Sequence, residues 1–314
     1  MNININREVV TLERLMLFIA TEKGYSVLKK IYECKKDCLV SVISFNEVNV
    51  KKNYFKSIKN FCIEKKILFY NWVDIKHEVI DLIKYYNITV AFAIGWRYIL
   101  PLEINDYMKN KLMVFHDSLL PKYRGFAPTP TAIIYGEEEL GMSVIYAEDD
   151  MDTGDIIIQK KFKLKSGLYI EDVIKILSEI YDDSAIELIS MIENNKIKVE
   201  RQDNSKATYS IWRDPEDCEI DWNLSSKEIY NLIRAVSEPY TGAFTYLNTK
   251  KIFIWRAEIL ADKMFVIRYP GKLWSIVDNC PIVICGKGMI KLLKVTDECG
   301  NIIKFNKVRV RLGK

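Results

Sequence analysis

Val114-Phe115-His116-Asp117-Ser118-Leu119-Leu120-Pro121-Lys122-Tyr123-Arg124-Gly125 decides how the N-terminal half of this chain is read. An apolar run, Leu112 to His116, ends in a histidine and passes into a loop marked by Pro121 and Gly125. That pattern predicts a buried strand that stops at His116. Side chains alternate along a strand, so Val114, His116 and, if the strand persists, Ser118 face one way. Two further strands are expected at Met142 to Ala147 and Ile156 to Phe162. Between them lies an acidic turn, Asp149-Asp150-Met151-Asp152-Thr153-Gly154-Asp155.

Upstream, apolar runs predict strands at Leu15 to Ala20, Leu39 to Phe45, Ile67 to Trp72 and Ile88 to Ile94. Helical spacing appears at Tyr25 to Tyr32, Tyr54 to Lys65 and Ile75 to Tyr86, and a long amphipathic pattern at Tyr169 to Asn194. Strands alternating with helices mean an α/β fold with a mostly parallel sheet covered on both faces. Ligands then bind beyond the carboxyl ends of the strands, near a switch point. The loop after Gly95 and the loop after His116 are the two candidates. Residues 1 to 13 read as a frayed lead-in, and residues 195 to 210 as a polar, basic connector.

Beyond Ile211 the pattern changes. Ser226 to Val236 reads as a helix, with Ser225 or Ser226 as N-cap. Short strands follow at Lys251 to Trp255, Met264 to Arg268, Leu273 to Val277, Ile282 to Cys285 and Ile290 to Val295, separated by regular turn signals. This predicts a small β-barrel or sandwich. The expected domains are 1–205 and 206–314.

The formal net charge of +4 is small for 314 residues. It permits an anionic ligand but gives no basis for wholesale binding along a nucleic acid. Seven cysteines lack any Cys-x-x-Cys spacing, and the only histidines are His77 and His116, so no metal is expected. Free thiols in a reducing cytoplasm fit better. Neither a signal peptide nor a membrane-spanning run is evident, and the expected location is cytoplasmic. Lys23-Gly24 is not a dinucleotide fingerprint, and no phosphate-cradling Gly-Lys-Ser/Thr is present.

Taken alone, His116 is by default a core or surface histidine, and Asp152 belongs to a solvated turn. Several carboxylates in that turn could be taken for a Mg²⁺ or Ca²⁺ site, but the calcium-loop spacing is absent. The combination is more specific. His116-x-Ser118-Leu-Leu-Pro-x-Tyr-Arg-Gly125 followed by Asp152-x-Gly154-Asp155 resembles the signature of the folate-dependent formyltransferases. Arg213-x-Pro-Glu-Asp, Ile220-x-Trp222 and Pro239-Tyr-Thr-Gly-Ala-Phe244 extend the resemblance from about Leu15 to the end.

The resemblance implies a Rossmann-like formyltransferase domain followed by an OB-like barrel. It implies N10-formyltetrahydrofolate as cosubstrate, His116 and Asp152 as catalytic pair, and Tyr98, Ile99, Leu100 and Met151 against the folate. Ser118 and Arg124 would face the substrate, although a surface charge is the competing reading for Arg124. One position departs: the family's Asn, two residues before the His, is Val114 here. Loss of an oxyanion donor costs about 3 kcal/mol. Ser118, a backbone N–H or a water would substitute, or the substrate differs, or activity has been lost and a folate- or nucleotide-binding pseudoenzyme remains.

The expected formyl acceptor is a nucleotide-linked amino sugar, as in lipopolysaccharide-type glycan synthesis. Methionyl-tRNA is the alternative. Against tRNA stand the small charge and Ala20-Thr-Glu-Lys-Gly24, where tRNA-formylating relatives carry a Gly-Thr-Pro loop and a basic insertion. Trp212, Trp222 and Tyr240 suit base stacking, with interface core as the competing reading. Sugar-modifying relatives are often dimers, so a homodimer is the expected assembly.

Overall fold

The computed structural model describes residues 13–47 and 52–313. The lead-in therefore lies outside the described residues except for Glu13, which is buried rather than frayed. Its carboxylate accepts from Thr89 Oγ1 at 2.5 Å and Asn110 Nδ2 at 3.2 Å.

In chain order the first elements are β1 (Leu15–Ile19), α1 (Glu22–Lys35), β2 (Leu39–Ser44), α2 (Phe55–Glu64) and β3 (Leu68–Asn71). α3 (Trp72–Ile75), α4 (Val79–Tyr85), β4 (Val90–Ile94), β5 (Leu112–His116) and β6 (Arg124–Gly125) follow. Then come α5 (Pro128–Tyr135), β7 (Glu139–Tyr146), β8 (Ile156–Lys163), α6 (Ile170–Glu193), β9 (Tyr209–Ser210) and α7 (Ser226–Val236). The chain finishes with β10 (Ala243–Leu247), β11 (Lys250–Leu260), β12 (Leu273–Val277), β13 (Cys280–Ile284) and β14 (Met289–Thr296).

Seven strands form one sheet in the order β3-β2-β1-β4-β5-β7-β8. β1 pairs in parallel with β2 and β4, and β4 with β5, whereas β7 runs antiparallel to β5. The reversal of strand order between β1 and β4 is the switch point at which ligands gather in such sheets. β1 and β4 are buried along their whole length, as expected of strands covered on both faces.

Internal contacts divide the chain into two units. The first comprises the described residues of Met1–Lys122, Gly141–Lys160 and Ile176–Ala207, and the second Tyr123–Leu140, Lys161–Lys175 and Thr208–Lys314. Two earlier segments thus join the C-terminal unit. The reason is local. The Tyr123 N–H donates to Thr208 Oγ1 at 2.9 Å, β6 pairs with β9, and α5 packs against α7.

In the second unit, β10-β11-β14-β13-β12 form an antiparallel sheet. Residues near the C-terminus tie its two edges together: Leu312 bridges Leu247, and Arg311 bridges Lys272. α7 starts at a capping box in which Ser225 and Glu228 satisfy each other's backbone N–H.

Two expectations change. The helix expected at 75–86 is two helices, broken at the exposed Lys76-His77-Glu78, where the Glu78 N–H closes a turn on the Ile75 carbonyl at 2.8 Å. Met264 to Arg268 is not a strand. Met264 and Val266 stand fully exposed (101% and 102%), so that run has no partner layer to bury against. α5 follows Ala127 with Pro128 in its first turn, which suits a helix start because proline lacks an N–H.

Candidate functional site

β5 ends at His116, and the acidic turn between β7 and β8 brings Asp152 beside it. His116 Nδ1 lies 3.4 Å from Asp152 Oδ2, and both side chains are largely buried. This is an ion-pair distance, longer than a good hydrogen bond.

The turn is strained and braced. Asp152 adopts φ +55°, a left-handed conformation that Asp tolerates better than most residues. A Cβ on Gly154 would sit 1.8 Å from the Tyr146 carbonyl oxygen, so only glycine fits there. Gln202 Nε2 donates to the Asp152 carbonyl at 2.8 Å and the Gly154 carbonyl at 2.7 Å. The Ile156 N–H and carbonyl exchange 2.8 Å bonds with Glu200. Residues 200–202, expected to be mere connector, thus hold the Asp152 turn. Nothing local in the sequence marks Gln202, because its partners lie 48 and 50 residues away.

Ser118 does not offer its hydroxyl proton to a substrate. Its Oγ donates to the Lys122 carbonyl at 2.6 Å, closing the loop after β5. Acting as substitute oxyanion donor would require that bond to break. Ser143 Oγ donates to the Ser118 carbonyl at 2.7 Å, and Gln159 Nε2 donates to the Leu120 carbonyl at 2.9 Å, so the loop is fixed from both neighbouring strands. Val114 packs against two apolar clusters, one including Met16, Phe18, Ala91 and Leu100, the other Leu120, Ile145 and Ile156.

After β4, Gly95 turns with φ +60°, where a Cβ would strike Thr21 Oγ1 at 2.2 Å. Beyond it Tyr98 packs its ring against Phe45 at 4.8 Å and Trp96 at 6.0 Å. Ile99 is 94% exposed, and Leu100 is buried. Arg97 anchors this loop on Glu47, with Nη2 2.9 Å from Oε1. Burial pushes the Glu47 carboxyl up, and the Arg97 charge offsets this only in part. Trp96 Nε1 and Thr21 Oγ1 are buried atoms with no hydrogen-bond partner among the described residues. Met151 is half exposed beside Asp152.

Arg124 belongs to the second unit and is 2% exposed, so the competing reading of a surface charge does not hold. Its N–H donates to the Thr208 carbonyl at 2.9 Å. In the same unit Trp222 is core, its Nε1 donating to Thr245 Oγ1 at 2.9 Å, whereas Trp212 and Tyr240 are exposed.

Among the described residues no group of three or more His, Cys, Asp or Glu is placed to hold a metal ion. A depression of about 400 Å³ runs along the acidic turn, lined by residues such as Glu148, Asp150, Asp155 and Arg201. Neither His116 nor Asp152 lines it. All seven cysteines are free, and burial pushes the Cys62 and Cys285 thiols up to about 12, which leaves them unreactive. No helix among the described residues is long and apolar enough to cross a membrane.

The family model described as formyl transferase matches residues 16–182, and that described as formyl transferase, C-terminal domain, matches residues 213–309. The methionyl-tRNA formyltransferase of Fusobacterium nucleatum subsp. nucleatum is 31% identical over 242 residues, 76% of this chain and 77% of that protein. The bifunctional polymyxin resistance protein ArnA of Wigglesworthia glossinidia brevipalpis is 29% identical over 93% of this chain, which spans 44% of that protein's length. Among solved structures, WlaRD, a sugar 3N-formyl transferase crystallised with dTDP and 5-N-formyl-THF, shares the fold. Its TM-score is 0.67 at 21% identity, over 95% of this chain and 99% of that one.

Proposed function

The chain belongs to the formyl transferase family, and from that membership we propose that it moves the formyl group of N10-formyltetrahydrofolate to the amine of a nucleotide-linked amino sugar. The observation that carries the chemistry is the His116–Asp152 pair at the carboxyl end of β5, 3.4 Å apart. The acceptor amine attacks the formyl carbon, and the carbonyl oxygen becomes an oxyanion. Asp152 orients the imidazole through Nδ1. His116 hydrogen-bonds the oxyanion and carries the amine proton to N10 as the carbon–N10 bond breaks and tetrahydrofolate leaves. No side chain need bond covalently to the formyl group.

The residues present suit a folate. Tyr98, Ile99 and Met151 offer apolar surface for a flat ring. The buried Trp96 N–H, without a partner among the described residues, is a donor for a heterocycle with acceptors. With Ser118 engaged, the donor that replaces the family's Asn is a backbone N–H or a water.

The sugar acceptor is favoured by the short β1–α1 link. Only Ala20 and Thr21 separate Ile19 from Glu22, leaving no room for a basic insertion that would grip tRNA phosphates. The fold shared with WlaRD, crystallised with dTDP, agrees with a nucleotide-linked substrate. Methionyl-tRNA is the second reading, favoured by the 31% identical relative. The test is purified protein incubated with N10-formyltetrahydrofolate, a panel of nucleotide-linked amino sugars, and methionyl-tRNA alongside. Formylation of a sugar is expected. Formylation of the tRNA alone would defeat the acceptor assignment, and folate binding without any turnover would favour a pseudoenzyme, the reading that Val114 motivates.

A further inference from the structure

We propose that a buried cluster of Lys23, Asp117 and Tyr181 is the positioning device for His116, acting from the opposite face of β5. The inference rests on the reading that His116 carries the proton in formyl transfer. Asp117 follows His116 directly, so its side chain leaves the chain on the other side. Both carboxylate oxygens are gripped: Lys23 Nζ, from the first turn of α1, donates to Oδ2, and Tyr181 Oη, from α6, donates to Oδ1. The Tyr181 ring also packs on Phe115, with centroids 5.4 Å apart, and Lys23 Nζ lies 5.3 Å from the same ring. One fully buried side chain therefore holds the residues on both sides of His116.

A buried ion pair seldom stabilises a fold more than apolar side chains of the same shape would. Its value here is directional, because three elements fix the peptide that carries the imidazole. The charged and titratable groups around the cluster are Lys23 from α1, Tyr181 from α6, His116 from β5 and Asp152 from the acidic turn. Burial would raise the Asp117 carboxyl, but the Lys23 charge and the bonds from Lys23 and Tyr181 override it and hold the group below its ordinary value. Burial first, then the Asp117 charge, pushes the Tyr181 phenol well up. The carboxylate stays charged and the phenol stays protonated, so the cluster is a fixed brace and not a proton relay. Lys23, Asp117 and Tyr181 act through His116 and are positioning residues.

Tyr181→Phe keeps the ring and its contact with Phe115 and deletes one donor. Turnover should fall by about tenfold with KM for the formyl donor changed by less than about twofold. The imidazole ¹⁵N signals of His116 should shift or broaden. Those of exposed His77, the only other histidine, should stay. Lys23→Met alone leaves a buried unpaired carboxylate and can unfold the chain. The charge-neutral double variant Lys23→Met with Asp117→Asn is therefore compared, and the same two changes are expected. Wild-type turnover together with an unmoved His116 signal in folded Tyr181→Phe would overturn the brace. The imidazole signal is read without turnover. Failure of the wild type to transfer formyl would therefore count against the functional reading, and a moved signal would still support the brace.

Discussion

On one face of β5 His116 meets Asp152 across 3.4 Å; on the other, Asp117 is bonded through both oxygens to Lys23 and Tyr181. His116 and Asp117 are adjacent in the chain, yet the packing around them differs. The back face holds its partly buried carboxylate through both oxygens. The front face pairs its histidine at a distance that can still shorten. Rigidity sits behind the histidine and adjustability in front of it, which suits the acid–base role proposed for the ring. Val114 adds a third term. It faces the front yet packs as core, so the reactive face is supported by apolar contacts where relatives place an amide.

Removing the front-face histidine should break this comparison most severely. His116→Ala is expected to lower turnover by about 10²- to 10⁴-fold with the fold intact, measured by formyl transfer and circular dichroism. Loosening the carboxylate comes next. Gln202→Leu leaves two carbonyls of the Asp152 turn without their buried donor. It should slow turnover by about tenfold through misplacement and destabilise the fold by about 1–3 kcal/mol in urea titration.

Val114→Asn sharpens the comparison from the other side. An amide set between two apolar clusters should destabilise by about 1–3 kcal/mol while turnover changes by less than about tenfold. A rise of about a hundredfold would show instead that the missing donor limits the rate.

The smallest effect concerns acid. The Asp117 carboxyl is held below its ordinary value of 3.8 despite burial, by the Lys23 charge and by bonds from Lys23 and Tyr181. Its contribution to stability is full above 3.8 and fades as pH falls through the lower folded value. Between 3.8 and that lower value the unfolding temperature of the wild type should drop more steeply than that of the Lys23→Met, Asp117→Asn double variant.

Much of the fold could be read directly from local pattern. β1, β4 and β5 announce themselves as unbroken apolar runs because parallel strands are buried on both faces. α7 shows its cap in Ser225 and Glu228. The break in the helix expected at 75–86 and the exposed run Met264 to Arg268 were not legible. Periodicity and β-propensity describe a segment's preference, and the packing that overrules it comes from elsewhere in the chain. The same holds for the site. His116 and Asp152 lie in recognisable motifs. Lys23 and Tyr181 reach Asp117 across 94 and 64 residues, and Gln202 reaches Asp152 across 50. Only the folded chain brings them together, and nothing in the immediate surroundings of a lysine, a core tyrosine or a connector glutamine marks it out.

The most direct test is mass spectrometry of a nucleotide-linked amino sugar after incubation with N10-formyltetrahydrofolate and either wild-type protein or His116→Ala. The account predicts one added formyl group on the sugar amine with the wild type and almost none with the variant. Equal formylation by both proteins would contradict it.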